Sequence, residues 1–589
     1  MPQNAVNRLI FALMNSAAKT WKWDRLAPWL LVLLVLAVYL PGTAQLPLVD
    51  RDEPRFATAA REMLDRHDWI VPTFNGEYRF DKPALVYWLM HAGYATVGVN
   101  ELGARLPAVG CMLALVLLVW HTGRRWFGAQ AGFAAGFMLA TSLQFFIHGR
   151  LAVADMPMVL AVAVACVALA ELLLAPPAAT AAASAGAADG GERGEQATEP
   201  APGWSPRLAW WSLWVAVGLG FLAKGPITLV VPVLALVLWR WVFWRKPLPW
   251  ARLQAGRGLV LATAIVAIWG IPALVATHGL FWQKGIGEHV VQRGLEKLNG
   301  RSYNPFFYLM TAPMTLFPWV IFAGAAWVAA RREWDARRAW LASWLLAPYV
   351  IFTAYLTQLP HYVLPGFPAF FLLLGAGFTP ATLAGLARWA RVAMGVFLAV
   401  FGLVAVVALV LVVRAELPAG LAPLRDAVAG LLVTVGGFLL VAAAWWGRRG
   451  ALVALGVVLI GVGAWRMGTG LRAVSPGVTL GPALRALPAD TRFLGSRFAE
   501  PSIVFYSGAK WVFSDQPEAL AGMLAQPGPV AVVVLERECD PLGFFTGRLR
   551  WRDYPEPTGL AAVAQRQQSV EVFNLGRSRW QTLSVWVRP

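Results

Sequence analysis

The sequence predicts a polytopic α-helical membrane protein of about 13 transmembrane helices, with interfacial helices in its outward loops and a C-terminal α/β domain outside the membrane. Three observations predict it. Apolar runs of roughly 17–22 residues, the length that crosses a hydrocarbon core, follow one another along the chain. Basic residues gather in short tufts that recur on alternate loops. Over roughly the last 110 residues the long apolar runs give way to strand-like alternation. Composition agrees, with 58% of the 589 residues hydrophobic, 14% charged and 30 tryptophans. The net charge of +18 does not indicate nucleic acid, because the basic residues are dispersed between apolar runs instead of sharing one face.

By hydropathy the spans fall near 26–41, 105–121, 129–147, 156–175, 207–222, 226–243, 259–277, 309–328, 339–356, 362–378, 392–413, 425–445 and 450–467. The first, Leu26–Leu40, reads as an uncleaved anchor because so many spans follow it. The tufts Arg124/Arg125, Arg331/Arg332 and Arg448/Arg449 fall on one side when the spans alternate. The positive-inside rule makes that side the cytoplasm, with the N-terminus inside and the C-terminus outside. Residues 176–206, rich in Ala, Gly and Pro, read as a low-complexity cytoplasmic linker. The expected division is a membrane domain over 1–469 and an outward α/β domain over 470–589. In the latter, Val530–Leu535 and Thr582–Val587 read as strands and Gln516–Leu524 as a helix. Cys111, Cys166 and Cys539 lack metal-site spacing, and two lie in apolar runs, so neither a disulfide framework nor a zinc site follows.

The outward loops hold the unusual residues. The loop 50–83 opens with Asp50, Asp52 and Glu53 and closes with Asp81-Lys82-Pro83. Within it Phe56, Ala60, Met63 and Leu64 recur at helical spacing, which predicts a helix lying in the membrane surface. Capping a helix takes one acid, and three are present. Lys82-Pro83 and Lys224-Gly225-Pro226 repeat one device, in which proline at the first helical position puts the lysine at a helix N-terminus. That is an unfavourable place for a cation unless an anion lies beside it; snorkelling to head groups is the other reading. Asp155, before Met156-Pro157, suits a cap and a functional acid equally. Glu288, His289 and Arg293 share a helical face. Arg293 suits a bidentate grip on phosphate or an internal salt bridge to Glu288. His361 and Tyr362 stand at the outer entry of a span. Carboxylates and cations together on an outer face suggest transfer from a phosphate-bearing donor. With no soluble cytoplasmic domain to bind a nucleotide sugar, that donor is expected to be lipid-linked.

The stretches DRDEPRFATAAREML, WIVPTFNGEYRFDKPALVYWL, GRLAVADMPMVL, FLAKGP, LPHYVLPGFPA and FAEPSIVFYSG resemble the GT-C glycosyltransferases of the protein O-mannosyltransferase-like superfamily. Among these they are similar to the bacterial transferases that move 4-amino-4-deoxy-L-arabinose from undecaprenyl phosphate to lipid A. The resemblance covers nearly the whole chain. It implies a GT-C fold in the bacterial inner membrane, a periplasmic active site and C-terminal domain, and a single inverting displacement. Its partners would be an undecaprenyl-phosphate-linked sugar donor, a lipid A or other surface glycan acceptor and membrane lipids, with no nucleic acid. By motif, Asp52 and Glu53 would be catalytic acids together with Asp155. Lys82 and Arg293 would bind the donor phosphate with Lys224, while Asp81, His289, His361, Tyr362 and Glu500 would contact substrate. Asp81 stands where the family has glutamate. No cofactor is required; a divalent metal is compatible with the acids and histidines of the outer face, though no ligand set stands out. Another sugar on the same lipid, such as galacturonic acid, a hexosamine or a hexose, or a hydroxyl acceptor, is the alternative reading. A lipid-sugar flippase is a further one, set against by charges that lie at the outer ends of the spans and not at midplane.

Overall fold

A computed structural model describes residues 20–174, 203–285, 287, 303–377, 388–414, 422–447, 449–540 and 550–589. Each of the thirteen apolar segments coincides with helical structure. Six described helices are long and apolar enough to cross a membrane, and a bent pair (Phe307–Thr315 with Trp319–Arg332) would make a seventh. Two expected segments are interrupted. The 129–147 segment divides into Ala129–Ala140 and Leu143–His148, and the 309–328 segment breaks after Thr315, where Pro313 and Pro318 deprive the backbone of two donors.

Close helix packing relies on missing side chains. Ala422–Trp446 lies along Gly450–Val474. A Cβ on Gly430 would stand 2.4 Å from the Met467 nitrogen, and one on Gly463 2.6 Å from the Gly430 carbonyl oxygen. In an apolar medium, where packing replaces the hydrophobic drive, small residues at such crossings let the backbones approach.

Outside the bundle, the loop after the first helix folds into the helix Asp52–Asp65 and a hairpin, β1 (Thr73–Phe74) with β2 (Glu77–Tyr78). The apolar face expected to meet the membrane surface is covered by protein instead. Phe56, Ala60 and Met63 are buried against Tyr87 and Met90 of the helix Leu85–Val97 and against Phe505 and Tyr506 of the helix Pro501–Ser507. The periodicity was a true helical signal; part of the surface that satisfies it, Phe505 and Tyr506, comes from more than 400 residues away.

The C-terminal sheet contains β3 (Arg492–Ser496), β4 (Trp511–Phe513), β5 (Val530–Cys539), β6 (Trp551–Asp553), β7 (Gln565–Asn574) and β8 (Arg579–Arg588) in the order β4-β3-β5-β8-β7, with β6 on the end of β5. β3 pairs in parallel with β4 and β5, whereas β8 is antiparallel to β5 and β7. The run Val530–Leu535 is apolar throughout because both faces are covered. Ala531, Val533 and Leu535 join Leu480, Ile503 and Leu583 on one side. Val530, Val532 and Val534 join Leu520, Leu524 and Trp586 on the other. The expected helix and both expected strands are present, the helix as Pro517–Ala525.

Candidate active site

The Asp52–Asp65 helix is the part of the site that the rest holds in place. Glu53, its second residue, is only 2% exposed. Its Oε1 accepts from Arg105 Nε at 2.8 Å and from the Ala152 amide at 2.6 Å. Its Oε2 accepts from Arg105 Nη2 at 2.7 Å and from the Val49 amide at 2.8 Å. Arg105, wholly buried, also donates to the carbonyls of Thr43, Leu46 and Pro47. Three separated segments, 43–53, the helix carrying Arg105 and the stretch at Ala152, therefore meet on one ion pair. Further along, Tyr94 donates to the Ala57 carbonyl at 2.9 Å, and Arg61 donates to the Phe505 carbonyl at 2.8 Å. Glu62 accepts from Thr73 and from the Asn75 and Gly76 amides, fastening the hairpin to the helix. Asn75 in turn exchanges two hydrogen bonds with the backbone of Trp511 in β4.

So held, the helix N-terminus and the end of the hairpin face a cavity of about 550 Å³. Its polar end carries Asp52, Arg55, Arg79, Asp81 and Lys82 from the first loop, Asp155 and Lys224 from two helix ends, and His361 and Tyr362. Its other walls are apolar, among them Phe221, Val230, Val266, Trp269, Leu274 and Phe352. Arg79 pairs with Asp81 at 2.8 Å and lies 4.8 Å over the Phe56 ring. Lys82 Nζ donates to the Asp81 carbonyl at 2.8 Å. Asp155, first residue of the helix Asp155–Leu174, is paired with Lys224. Lys224 also lies 5.7 Å from the Tyr362 ring centre. The His361 and His148 rings are 4.8 Å apart. Burial lowers the pKa of both, that of His361 to about 3, so both are neutral near pH 7.

The structure thus brings together Asp52, Asp81, Lys82, Asp155, Lys224, His361 and Tyr362. Glu53 does not line the cavity: it faces the opposite way, into the Arg105 pair. Glu500 lies apart too, buried against Arg577 at the start of the Pro501–Ser507 helix. His289 and Arg293 lie outside the described residues. Lys82 stands just before the helix Leu85–Val97, as its proline predicts. Lys224 does not begin a helix. It is the last residue of Pro206–Lys224, and Gly225, at φ +76°, closes that helix before Ile227–Leu238 begins. A cation there sits at the favourable end of the helix dipole.

Sequence reasoning passed over Arg55 and over Arg79, whose partners Tyr87 and Phe56 are recognisable only in space. His148 stands more than 200 residues before His361, and no local signal joins the two.

Three carboxylates and four cations at one end of an apolar-walled chamber suit a charged head group carried on an apolar chain. Comparison with known proteins agrees with that class. Residues 81–187 match the family model described as dolichyl-phosphate-mannose-protein mannosyltransferase. The chain is 30% identical over 457 residues to undecaprenyl phosphate-alpha-4-amino-4-deoxy-L-arabinose arabinosyl transferase 2 of Sodalis glossinidius, covering 73% of this chain and 74% of that protein. It is 28% identical over 363 residues to the corresponding Aeromonas salmonicida transferase, spanning 60% of each. The crystal structure of ArnT from Cupriavidus metallidurans bound to undecaprenyl phosphate superposes with a TM-score of 0.68 at 22% identity, over 95% of this chain and 97% of that one; that likeness establishes a shared fold. The chain belongs to the family of these arabinosyl transferases.

Proposed function

We propose that the protein is an inverting glycosyltransferase of the bacterial inner membrane. It moves a sugar, 4-amino-4-deoxy-L-arabinose in our reading, from undecaprenyl phosphate to lipid A. The observation that carries this reading is the cavity itself, where Asp52, Lys82, Asp155 and Lys224 converge at the end of an apolar channel. In this account the channel takes the first part of the polyprenyl chain, and Lys82 and Lys224 face the phosphate. Arg293, outside the described residues, is a further phosphate ligand in this account. An acceptor oxygen attacks the anomeric carbon as the bond to the phosphate oxygen breaks, releasing undecaprenyl phosphate. Cations fixed beside the departing phosphate stabilise the charge that develops on it. A lipid A phosphate acceptor is already an anion and needs no base. Asp52 then orients the sugar, or stabilises positive charge on the ring, its amino group being a cation that carboxylates attract.

The orientation belongs to the same proposal: an N-terminus in the cytoplasm, thirteen spans over 1–469, and the cavity and the domain 470–589 on the periplasmic side. The basic tufts support it through the positive-inside rule. The similarity of the arabinosyl transferases named above supports the choice of donor and acceptor.

The test is mass spectrometry of lipid A from a deletion strain complemented with wild type, Asp52→Asn or Lys82→Ala. Addition of the aminopentose by wild type and its loss in Asp52→Asn, with undecaprenyl phosphate binding retained, is the expected result. Lys82→Ala is expected to weaken that binding. Normal aminopentose addition by Asp52→Asn would overturn the assignment of Asp52. Unmodified lipid A with wild type would overturn the acceptor.

A further inference from the structure

We propose that His148, Asp155 and His361 form a binding site for a divalent transition-metal cation such as Zn²⁺ at the base of the cavity. One ligand atom from each lies within 4.8 Å of the other two, the one such group among the described residues. The three come from separate parts of the chain: the end of Leu143–His148, the start of Asp155–Leu174 and the turn Pro360–Gly366. Two imidazoles and one carboxylate are a ligand set for Zn²⁺ and its neighbours, and a poor one for Mg²⁺ or Ca²⁺, which prefer oxygen.

The surroundings favour coordination in two ways. Gln144 places both its carbonyl oxygen and its side-chain Nε2 3.2 Å from His148 Nδ1; in the tautomer in which Nδ1 donates to the carbonyl, Nε2 keeps the lone pair. A backbone carbonyl behind a ligating histidine is the usual orienting partner. His148 and Asp155 are 6% and 7% exposed, so little reorganisation would separate the empty from the filled site. Asp155 and His361 line the cavity while His148 lies behind them. Open coordination positions would therefore face the cavity, as in sites where a metal meets a substrate.

Lys224 is the competitor. Its ammonium is paired with Asp155, and a dication bound to the same carboxylate would repel it. Metal and lysine are thus alternative counter-ions for Asp155, and an anion in the cavity would relieve the conflict by giving the ammonium a second partner. That last step rests on the proposed phosphate donor; the metal site does not.

The experiment is titration of Co²⁺ or Zn²⁺ into the full-length, tag-free protein in detergent after chelator treatment. Stoichiometry is read by calorimetry and elemental analysis, and ligation by the visible absorption of Co²⁺. Wild type is expected to take one equivalent with a nitrogen-rich Co²⁺ spectrum. His148→Gln and His361→Gln are each expected to lose it. Lys224→Met is expected to bind about tenfold more tightly or better, because a charge within contact distance is removed. That gain keeps the test informative should the histidine variants unfold. Absence of stoichiometric binding to wild type, the same spectrum in the double histidine variant, or unchanged affinity in Lys224→Met would overturn the proposal. With neither donor nor acceptor present, the result stands apart from whether the sugar-transfer reading holds.

Discussion

Adjacent acids at the start of one helix give opposite predictions. Successive residues are turned by about 100° around a helix axis, so Asp52 faces the cavity while Glu53 is buried in the Arg105 pair. Glu53→Gln keeps the size of the side chain and removes its charge. The Arg105 guanidinium, wholly buried, then has no counter-ion, and one amide N–H₂ of the new glutamine must point at N–H groups that used to find a carboxylate. Breaking a buried ion pair from one side costs about 3–5 kcal/mol. Arg105→Met is expected to cost at least as much, because it also leaves the carbonyls of Thr43, Leu46 and Pro47 without their donor. In thermal unfolding of the purified protein, each change should lower the apparent midpoint by roughly 2–4 °C. Transfer activity should fall in proportion to the folded fraction. Asp52→Asn should melt with wild type and lose turnover. A Glu53→Gln protein that melts like wild type but cannot transfer sugar would refute this, and would return Glu53 to the chemistry.

Two further predictions concern the contact between the first loop and the C-terminal domain. Burial, with Glu500 nearby, raises the pKa of Asp50 from 3.8 to about 7, although its carboxylate accepts the Ser502 amide at 2.8 Å. A carboxyl with a raised folded-state pKa holds a proton that the unfolded chain releases. Its contribution is therefore fully present below about pH 4 and is lost as pH rises through about 7, amounting to at most about 4 kcal/mol. Asp50→Asn keeps the acceptor and removes the charge, so melting midpoints at pH 8 should rise and their decline between pH 5 and 8 should flatten; parallel curves for the two proteins would contradict this. Tyr506→Phe removes a hydroxyl that donates to Glu101 and accepts from the Leu48 amide. A loss of about 1–3 kcal/mol is expected, read as a lower midpoint and faster proteolysis near residue 500; an unchanged melt would count against it.

What the sequence made legible follows from how local each signal is. The helix from Asp52, the strands around Val533 and Val585 and the helix from Pro517 rest on periodicity and proline within a few residues, and all are found. Lys224 was misplaced at the same local level. Lys-Gly-Pro reads as the approach to a helix, and only the positive φ of Gly225 shows that it is first the end of another. Glu53 and Glu500 were unreadable for a different reason. Their partners, Arg105 and Arg577, are 52 and 77 residues away. An acid beside the motif's aspartate looks catalytic until its counter-ion is known. The pairing of His148 with His361 is subject to the same limit.

The position of Asp52 is consequently a property of distant chain segments and not of its own motif. Three groups of contacts fix its helix. Arg105 holds Glu53 from a membrane helix, and Tyr94 holds the Ala57 carbonyl from the helix Leu85–Val97. Phe505 and Val504 of the C-terminal domain accept from Arg61. The same domain, through Trp511, grips the hairpin that leads to Asp81 and Lys82. Among the described residues none beyond Tyr362 lines the cavity, yet residues 500–511 touch both arms of the loop that supplies Asp52 and Lys82. A misplacement of about 1 Å between reacting groups is enough to cost about a hundredfold in rate. Substitutions in that contact, well away from the cavity, should therefore lower turnover before they unfold the protein.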